Sequence, residues 1–253
     1  AVGGFIAASS YSIAFYIAAG GMLTYSLLML VMGHETLPAT GDGSRRAPPL
    51  RDYLAILKDR DYVYYLTAFT FTQIGAAIIW VLLGVHTKTN FGIPENLYGF
   101  IPATNAIMVV ALQYLVTNQT KKHPPLPMMA LGALFFALGV GSVAMGRGFW
   151  AFWTSMVVVT IGELILMPTS TTYVARLAPV DKRGRYMSLN AITWSVATGI
   201  GPLMAGAIND TFGSGWMWLA GGLIGLLSAA MFLVRGRRVH DPVETQTAPA
   251  NPV

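Results

Sequence analysis

The chain is divided by charged residues into long uncharged apolar runs, and this feature constrains its fold more than any other. A helix that crosses a hydrocarbon core of about 30 Å needs roughly 20 apolar residues. Seven runs are long enough to be such helices. They cover residues 11–32, 62–86, 97–119, 124–146, 149–175, 186–209 and 215–234.

The composition agrees with a membrane protein. Apolar residues make up 54% of the chain and charged residues only 11%, which is too apolar for a soluble domain of this size. In lipid, only helices and closed barrels satisfy every backbone polar group, and barrel strands alternate between polar and apolar residues. No such alternation is visible in the sequence, so we expect an all-α membrane protein with about seven transmembrane helices.

Several kinds of chemistry are not expected. The chain has no cysteine, which excludes disulfides and thiolate metal sites. It carries no P-loop for nucleotide hydrolysis, and its basic residues are dispersed without interleaved aromatics, which argues against a nucleic-acid partner. We expect no cofactor and no metal site, because all four histidines are predicted to lie in loops or in the tail: His34, His86, His123 and His240.

Lysine and arginine are distributed unevenly between the alternating loops. Of the 16 basic residues, 14 fall on one side of the predicted membrane, and only Lys88 and Arg147 fall on the other. Loops rich in lysine and arginine stay in the cytoplasm. The linker after the first span and the C-terminal tail are therefore predicted to be cytoplasmic.

The first residues, AVGGFIAASS, read as the end of a helix. AVGG followed by residues 15–31 parallels residues 203–206 followed by 216–234, as two fused halves would, although chance similarity between glycine-rich helices is the alternative. Between them, LRDYLAILKD is expected to be an amphipathic helix on the inner membrane surface. The predicted units are the end of an N-terminal half (1–32), a cytoplasmic linker (33–61), a six-helix bundle (62–236) and a cytoplasmic tail (237–253).

Residues 162–189, GELILMPTSTTYVARLAPVDKRGRYMSL, resemble the junction of helices 10 and 11 in drug:proton antiporters of the major facilitator superfamily. Gly3 and Gly4 resemble the end of the GPxxGG signature of helix 5 in that branch, and Gly201-Pro202 with Gly206 resembles its counterpart in helix 11. The resemblance implies a helical bundle made of the end of helix 5, helix 6 and helices 7–12. It also implies a missing N-terminal half as partner and a place in the inner membrane of a bacterium.

Glu163 is the only charged residue in the run from Gly148 to Ala175. A charge near the middle of a membrane helix costs about 2.5–3.5 kcal/mol on insertion scales, so such residues nearly always face the bundle interior or a wet cavity. Removal from water disfavours the charged form of a carboxyl group. We therefore expect Glu163 to face inward and to exchange a proton in competition with substrate. A permanently protonated acid that serves only packing is the alternative.

Two further observations concern the helix of Glu163. Pro168 lacks a backbone donor and leaves the carbonyl of Leu164 free, which predicts a kink one turn beyond the acid. Helical spacing places four other residues on the face of the acid, where they are expected to form an adaptable cavity wall for apolar ligands: Met156, Thr160, Met167 and Ser170.

The resemblance also indicates which other helices line a substrate cavity, namely helices 7, 8, 10 and 11. Their polar and aromatic residues are candidates for substrate contact, although interhelical packing is an equally good interpretation for each. They are Thr70, Gln73, Trp80, Asn105, Asn190, Thr193 and Trp194. The spans 124–146 and 215–234 carry few polar residues and are expected to face lipid, with Gly132, Gly139, Gly221 and Gly225 as packing positions.

The loop at residues 176–185 is a candidate inner gate. Its charges could pair there, or they could act only as anchors on the inner side: Arg176, Asp181, Arg183 and Arg185.

The function expected from these features is proton-coupled efflux of small amphipathic or drug-like compounds by alternating access. Proton-coupled uptake of peptides or other nutrients is the second transporter hypothesis. A non-transporting membrane subunit or sensor with the same fold is the third. We do not expect an enzyme, because no second acid, Ser/Lys pair or histidine cluster at membrane depth completes a catalytic set.

Overall fold

The computed structural model describes residue 6, residues 10–33 and residues 50–238. Within them the chain forms nine α-helices, and seven segments are long and apolar enough to cross a membrane. Single-turn 3₁₀ helices cover Val143–Met145 and Val180–Lys182. The helices are α1 (Tyr11–Met32), α2 (Leu50–Ile56), α3 (Arg60–Phe91), α4 (Glu95–Tyr98), α5 (Phe100–Thr120), α6 (Pro125–Ser142), α7 (Phe149–Leu177), α8 (Arg183–Phe212) and α9 (Ser214–Arg238).

The expected fold class is confirmed, because each of the seven apolar runs coincides with one membrane-length helix. The expected amphipathic helix corresponds to α2, in which Ile56 is buried against the core and Leu54 is exposed. Gly3, Gly4, most of the linker and residues 239–253 lie outside the described residues. The division of the chain into four units therefore stays a prediction.

Local chemistry explains where the helices begin and end. The Asp59 carboxylate caps α3 by accepting from the backbone N–H groups of Asp61 and Tyr62, each at 3.1 Å. The same helix ends at Gly92, whose φ of 63° is the left-handed conformation that glycine adopts at little cost. Proline at the start of α6 is favourable, since the first backbone donors of a helix have no partner within it.

Glycines bring α6 and α7 into close contact. A Cβ atom at Gly139 would lie 2.5 Å from Cγ2 of Val159 and 2.8 Å from its backbone nitrogen. A Cβ atom at Gly162 would lie 2.7 Å from the carbonyl oxygen of Gly132. Small residues let membrane helices approach until their backbones touch, as they do here.

The opposite face of α6 packs on α9 in the same way. A Cβ atom at Gly225 would lie 2.9 Å from the Cβ of Ala137, and one at Gly222 would lie 3.0 Å from the Cα of Gly141. We call these contacts of α6 with α7 and α9 the glycine seam, defined by Gly132, Gly139, Gly162, Gly222 and Gly225.

Hydrogen bonds join α3 to α9. The Thr72 and Ser228 hydroxyls are 2.6 Å apart, and Ser228 also donates to the carbonyl of Ala68 at 2.6 Å. At the ends of the same two helices, Arg235 forms an ion pair with Asp61.

The long helices differ in how much of their surface the bundle covers. Within the most apolar stretch of α3, 61% of the residues are buried. The same fraction is 17% for the segment that contains α5 and 22% for the segment that contains α8. The corresponding stretch of α1 has no buried residue. Helix α3 is therefore central to the bundle.

Candidate transport cavity

Glu163 stands at the centre of α7, with 14 residues of the helix on each side of it. Its carboxylate is partly exposed and accepts a hydrogen bond from Nδ2 of Asn105 on α5 at 2.7 Å. The same amide nitrogen donates to the hydroxyl of Thr160 at 3.0 Å, and Thr160 donates to the carbonyl of Met156 at 2.8 Å. An N–H donor favours the ionised form of a carboxylate, so Asn105 is a suitable partner for a negative charge at this depth.

The carboxylate faces an open cavity of about 290 Å³. Helices α3, α6, α7 and α8 all contribute to its wall, so the cavity lies where four long helices meet. Apart from Glu163 and Gln73, the lining side chains are apolar or aromatic, and none is a lysine, arginine or histidine. The lining residues are Gln73, Ala76, Trp80, Phe136, Glu163, Met167 and Trp194.

Gln73 has an unusual environment for an amide. Its side chain is only 5% exposed, and its Oε1 atom has no hydrogen-bond partner among the residues that the structure describes. Leaving a buried acceptor unpaired costs about 1–3 kcal/mol. Apart from the indole N–H groups of Trp80 and Trp194, Gln73 and Glu163 carry the polar groups of the wall. In contrast to the Gln73 oxygen, Glu163 is paired with a protein donor.

Pro168 is accommodated inside α7 by a side chain from α5. The amide nitrogen of Gln113 donates to the carbonyl of Leu164 at 3.2 Å and to the hydroxyl of Thr117 at 2.9 Å. Leu164 is the residue whose carbonyl the proline leaves without its helical partner. Gln113 supplies that partner from a neighbouring helix, which the sequence alone did not indicate.

The structure brings together five of the predicted site residues on one cavity wall: Gln73, Trp80, Glu163, Met167 and Trp194. Asn105 and Thr160 lie directly behind the acid, in the hydrogen-bond network described above.

Four other candidates do not line this cavity. Met156 is 1% exposed within the core, because its place two turns from Glu163 puts it about 10 Å along the helix axis. The Thr70 hydroxyl donates to the carbonyl of Leu66 in its own helix at 2.7 Å. The Asn190 side chain accepts from the hydroxyl of Tyr65 at 2.8 Å, and Thr193 donates to the Asn190 carbonyl at 2.6 Å.

Two lining residues were missed, and one of them corrects an expectation. Phe136 belongs to α6, which was expected to face lipid, yet it is 2% exposed and lines the cavity. The close approach of α6 to α7 at Gly132 and Gly162 brings Phe136 next to the acid. Ala76 lies one turn from Gln73 and carries no polar atom that would have marked it.

The predicted hinge residues have different surroundings. Gly201 lies against α3, since a Cβ atom there would be 3.0 Å from the carbonyl oxygen of Ile74. A Cβ atom at Gly206 would have no neighbour within 4 Å, apart from its own helix backbone. Pro168 and Pro202 both lie inside helices that the structure shows as uninterrupted.

The four charged residues of the candidate gate loop lie at the end of α7, in the connecting turn and at the start of α8. Asp181 and Arg183 are exposed and form no ion pair with each other or with Arg176. Arg185 lies at the start of α8.

Aromatic hydroxyls form further contacts at this end of the bundle. Tyr186 donates to Oδ2 of Asp59 at 2.9 Å, and Tyr62 donates to the carbonyl of Tyr186 at 2.6 Å. The rings of Tyr62 and Tyr186 are 4.4 Å apart. Together these contacts hold the beginnings of α3 and α8 against each other.

His86 corrects another expectation, because it lies inside α3 and not in a loop. It is 7% exposed, shares a hydrogen bond with Asn90 at 2.9 Å and packs edge-on against Trp218 at 5.1 Å. No group of three or more histidine, aspartate or glutamate residues in the described part of the chain could hold a metal ion.

A second open cavity, of about 350 Å³, lies towards the Lys88 end of α3. Tyr98 and the ion pair of Lys88 with Glu95 form part of its wall. Trp80 lines this cavity as well as the cavity of Glu163. One indole ring therefore contributes to both walls.

Comparison with known proteins gives a family for this arrangement. A family model described as Major Facilitator Superfamily matches residues 65–252, which is most of the chain. The Na(+), Li(+), K(+)/H(+) antiporter of Planococcus maritimus is 26% identical over 77% of the chain and 49% of its own length. The quinolone resistance protein NorA of Staphylococcus aureus is 24% identical over 94% of the chain and 60% of its own length.

Solved structures agree on the fold. A POT family transporter in complex with 5-aminolevulinic acid has a TM-score of 0.63 at 16% identity, over 92% of this chain and 55% of that one. At such low identity the likeness concerns the fold alone. The chain thus spans between about half and three fifths of the length of these proteins.

Proposed function

Because the chain belongs to the major facilitator superfamily, we propose that it is part of a secondary active transporter that exports small amphipathic or drug-like compounds in exchange for protons. The observation that carries this proposal is Glu163. A partly exposed carboxylate at the middle of a membrane helix, on the wall of a cavity of about 290 Å³, has both a site for a proton and room for part of a ligand.

The proposed cycle depends on competition at this carboxylate. In its ionised form, stabilised by the N–H of Asn105, Glu163 attracts a ligand that carries positive charge or hydrogen-bond donors. When a proton binds, the attraction is lost and the ligand leaves. Opening the cavity to one side of the membrane at a time then couples proton entry to ligand exit.

Other residues have proposed roles in the same cycle. Trp80, Met167 and Trp194 supply adaptable apolar contact for the ligand, while Asn105 and Thr160 position the acid. Pro168 and the Gly201-Pro202 pair are proposed as flexible points, with Gly3, Gly4 and Gly206 as further hinge positions. The loop with Arg176, Asp181, Arg183 and Arg185 is proposed to contribute to an inner gate in another conformation.

The surroundings of the chain are part of the proposal. We infer that it works with an N-terminal half of the same transporter, which would close the open side of the cavity. The location is inferred to be the inner membrane of a bacterium, with the basic loops and the C-terminus in the cytoplasm.

The names of two relatives support exchange for protons or efflux. One relative is named as a cation/proton antiporter and the other as a quinolone resistance protein. Uptake of a peptide or other nutrient remains the second candidate, and no contact in the cavity favours it. The direction of proton-driven flux separates the two.

The test is transport in proteoliposomes that contain this chain together with its N-terminal half. An imposed proton gradient should move a lipophilic compound against the direction of proton flow, and Glu163→Gln should reduce this flux to background because the group no longer titrates. Asp210→Asn, an exposed carboxylate near the end of α8, is the matched control and should keep full flux.

Persistence of proton-driven flux in Glu163→Gln would refute the role of the acid. Flux in the same direction as the protons would support uptake. Absence of gradient-driven flux of any tested compound in the unmodified protein would support the non-transporting subunit.

A further inference from the structure

The carboxamide of Gln73 is the starting point for an inference about the chemistry of the ligand. Its Oε1 atom is buried and has no hydrogen-bond partner among the described residues, while the polar groups behind Glu163 are all paired with one another. Buried polar atoms in folded proteins nearly always have a partner, so an exception on a cavity wall calls for an explanation.

The cavity wall indicates which kind of partner is missing. Gln73 and Glu163 both carry oxygen acceptors, and no lysine, arginine or histidine lines the cavity. The terminal torsion of a glutamine side chain is broad, so rotation of the amide can bring its oxygen to the cavity. The Gln73 oxygen needs a hydrogen-bond donor as its partner, and the Glu163 carboxylate can accept another bond besides the one from Asn105.

The apolar part of the wall narrows the class of donor further. The faces of Trp80 and Trp194 attract cations, and Phe136 and Met167 complete an apolar wall around the two acceptors. Calcium ions are held by six to eight oxygen ligands, whereas this wall offers side-chain oxygen atoms from only two residues. An organic ammonium group with an apolar body fits the wall better than a bare metal ion.

We propose that Gln73 selects ligands with a primary or secondary ammonium group, which donates one N–H to the Gln73 carboxamide oxygen and another to the Glu163 carboxylate. This inference deepens the proposed function and rests on it. It assigns Gln73 as a specificity-determining residue, because a quaternary ammonium ion carries the same charge but has no N–H to donate.

The test compares the binding of a phenylalkyl primary ammonium ion and its trimethylammonium analogue to the full 253-residue chain in lipid nanodiscs, by titration calorimetry. The primary ammonium ion should bind about tenfold more tightly, as expected for one net hydrogen bond. Gln73→Leu should reduce this preference by weakening only the primary ammonium ion. Glu163→Gln should weaken both ions, because both lose the attraction of the negative charge.

Two controls separate this role from a general effect on folding. Gln119→Leu changes an exposed glutamine at the end of α5 and should leave both affinities unchanged. The thermal stability of Gln73→Leu should equal or exceed that of the unmodified chain, since the substitution removes an unpaired buried acceptor. Gln73→Met, which keeps the length of the side chain, should reproduce the reduced preference and serves if Gln73→Leu does not fold.

Three results would overturn the inference. The unmodified chain could bind both ions equally, Gln73→Leu and Gln73→Met could weaken both ions equally, or sodium or potassium ions could displace the primary ammonium ion in a Gln73-dependent manner. In each case the proposed function would be judged separately, by the flux assay with Glu163→Gln. Failure of both ions to bind the unmodified chain would also overturn the inference and leave that assay as the test of transport.

Discussion

The glycine seam and the cavity wall are adjacent regions of one bundle, but the helices are tightly packed at the seam and leave a cavity at the wall. Along the seam, glycines let helices approach until a single Cβ atom at Gly139 would lie 2.5 Å from a neighbouring side chain. At the wall, only a few residues away, large side chains surround about 290 Å³ that the described chain does not fill. The contrast indicates that tight packing on one side of α7 holds the acid in place while its other side stays open.

The largest expected effect comes from filling the seam. Gly139→Leu would force a side chain into backbone and side-chain atoms of Val159 and Ser155. Overpacking of this kind costs about 3 kcal/mol, so the free energy of unfolding in detergent, measured by denaturant titration, should fall by that amount. An unchanged value would show that α6 can move away from α7, and the seam would not be rigid.

The second-largest effect is expected at Asn105, which donates a hydrogen bond to Glu163 at the cavity wall. Asn105→Leu removes the donor to Glu163 and Thr160 and should lower the free energy of unfolding by about 2 kcal/mol, as expected for a hydrogen bond to a charged group. Combined with Glu163→Leu, the loss should be smaller than the sum of the two single losses. Asn118→Leu, an exposed asparagine of the same helix, should change the value by less than about 0.5 kcal/mol. Additive losses would contradict direct coupling.

A smaller effect is expected at Gln113, which donates to the carbonyl that Pro168 leaves without a partner in its own helix. Gln113→Leu leaves the Leu164 carbonyl without its donor and should cost about 1 kcal/mol, in the range of interhelical hydrogen bonds in membranes. In a Pro168→Ala background the same change should cost less, because the alanine N–H at position 168 can bond to that carbonyl within the helix. The four stabilities form a cycle, and an equal cost in both backgrounds would show that Gln113 acts elsewhere.

The smallest effect is expected at Gly206, which lies on the open side of the bundle and contrasts with the tightly packed Gly139. A Cβ atom at Gly206 has no neighbour within 4 Å outside its own helix backbone, so Gly206→Ala should raise the free energy of unfolding by about 0.5 kcal/mol through helix propensity alone. A loss comparable to that of Gly139→Leu would remove the distinction between the two regions. The same denaturant titration measures both variants.

The fold could be predicted because membrane helices are marked by their length and by the charges at their ends. The inward position of Glu163 followed from the cost of exposing a charge to lipid. What could not be predicted depends on contacts between helices. Helical spacing places Met156 on the face of Glu163 but does not show that the core covers it two turns away, and nothing in the apolar run around Phe136 indicates that α6 brings it to the wall.

Buried polar pairings were missed for the same reason. Gln113 and Leu164 are 51 positions apart, and His86 appeared to belong to a loop because α3 continues beyond the apolar run to Phe91. Such pairings depend on the rotation of each helix about its axis, which packing against several neighbours determines.

The indole of Trp80, shared by two cavities, has a consequence for how volume is distributed along the bundle. Because this side chain borders both cavities, a rotation of its ring changes both walls at once. The shape of the cavity beside Glu163 is therefore linked to that of the cavity beside Lys88 through one residue.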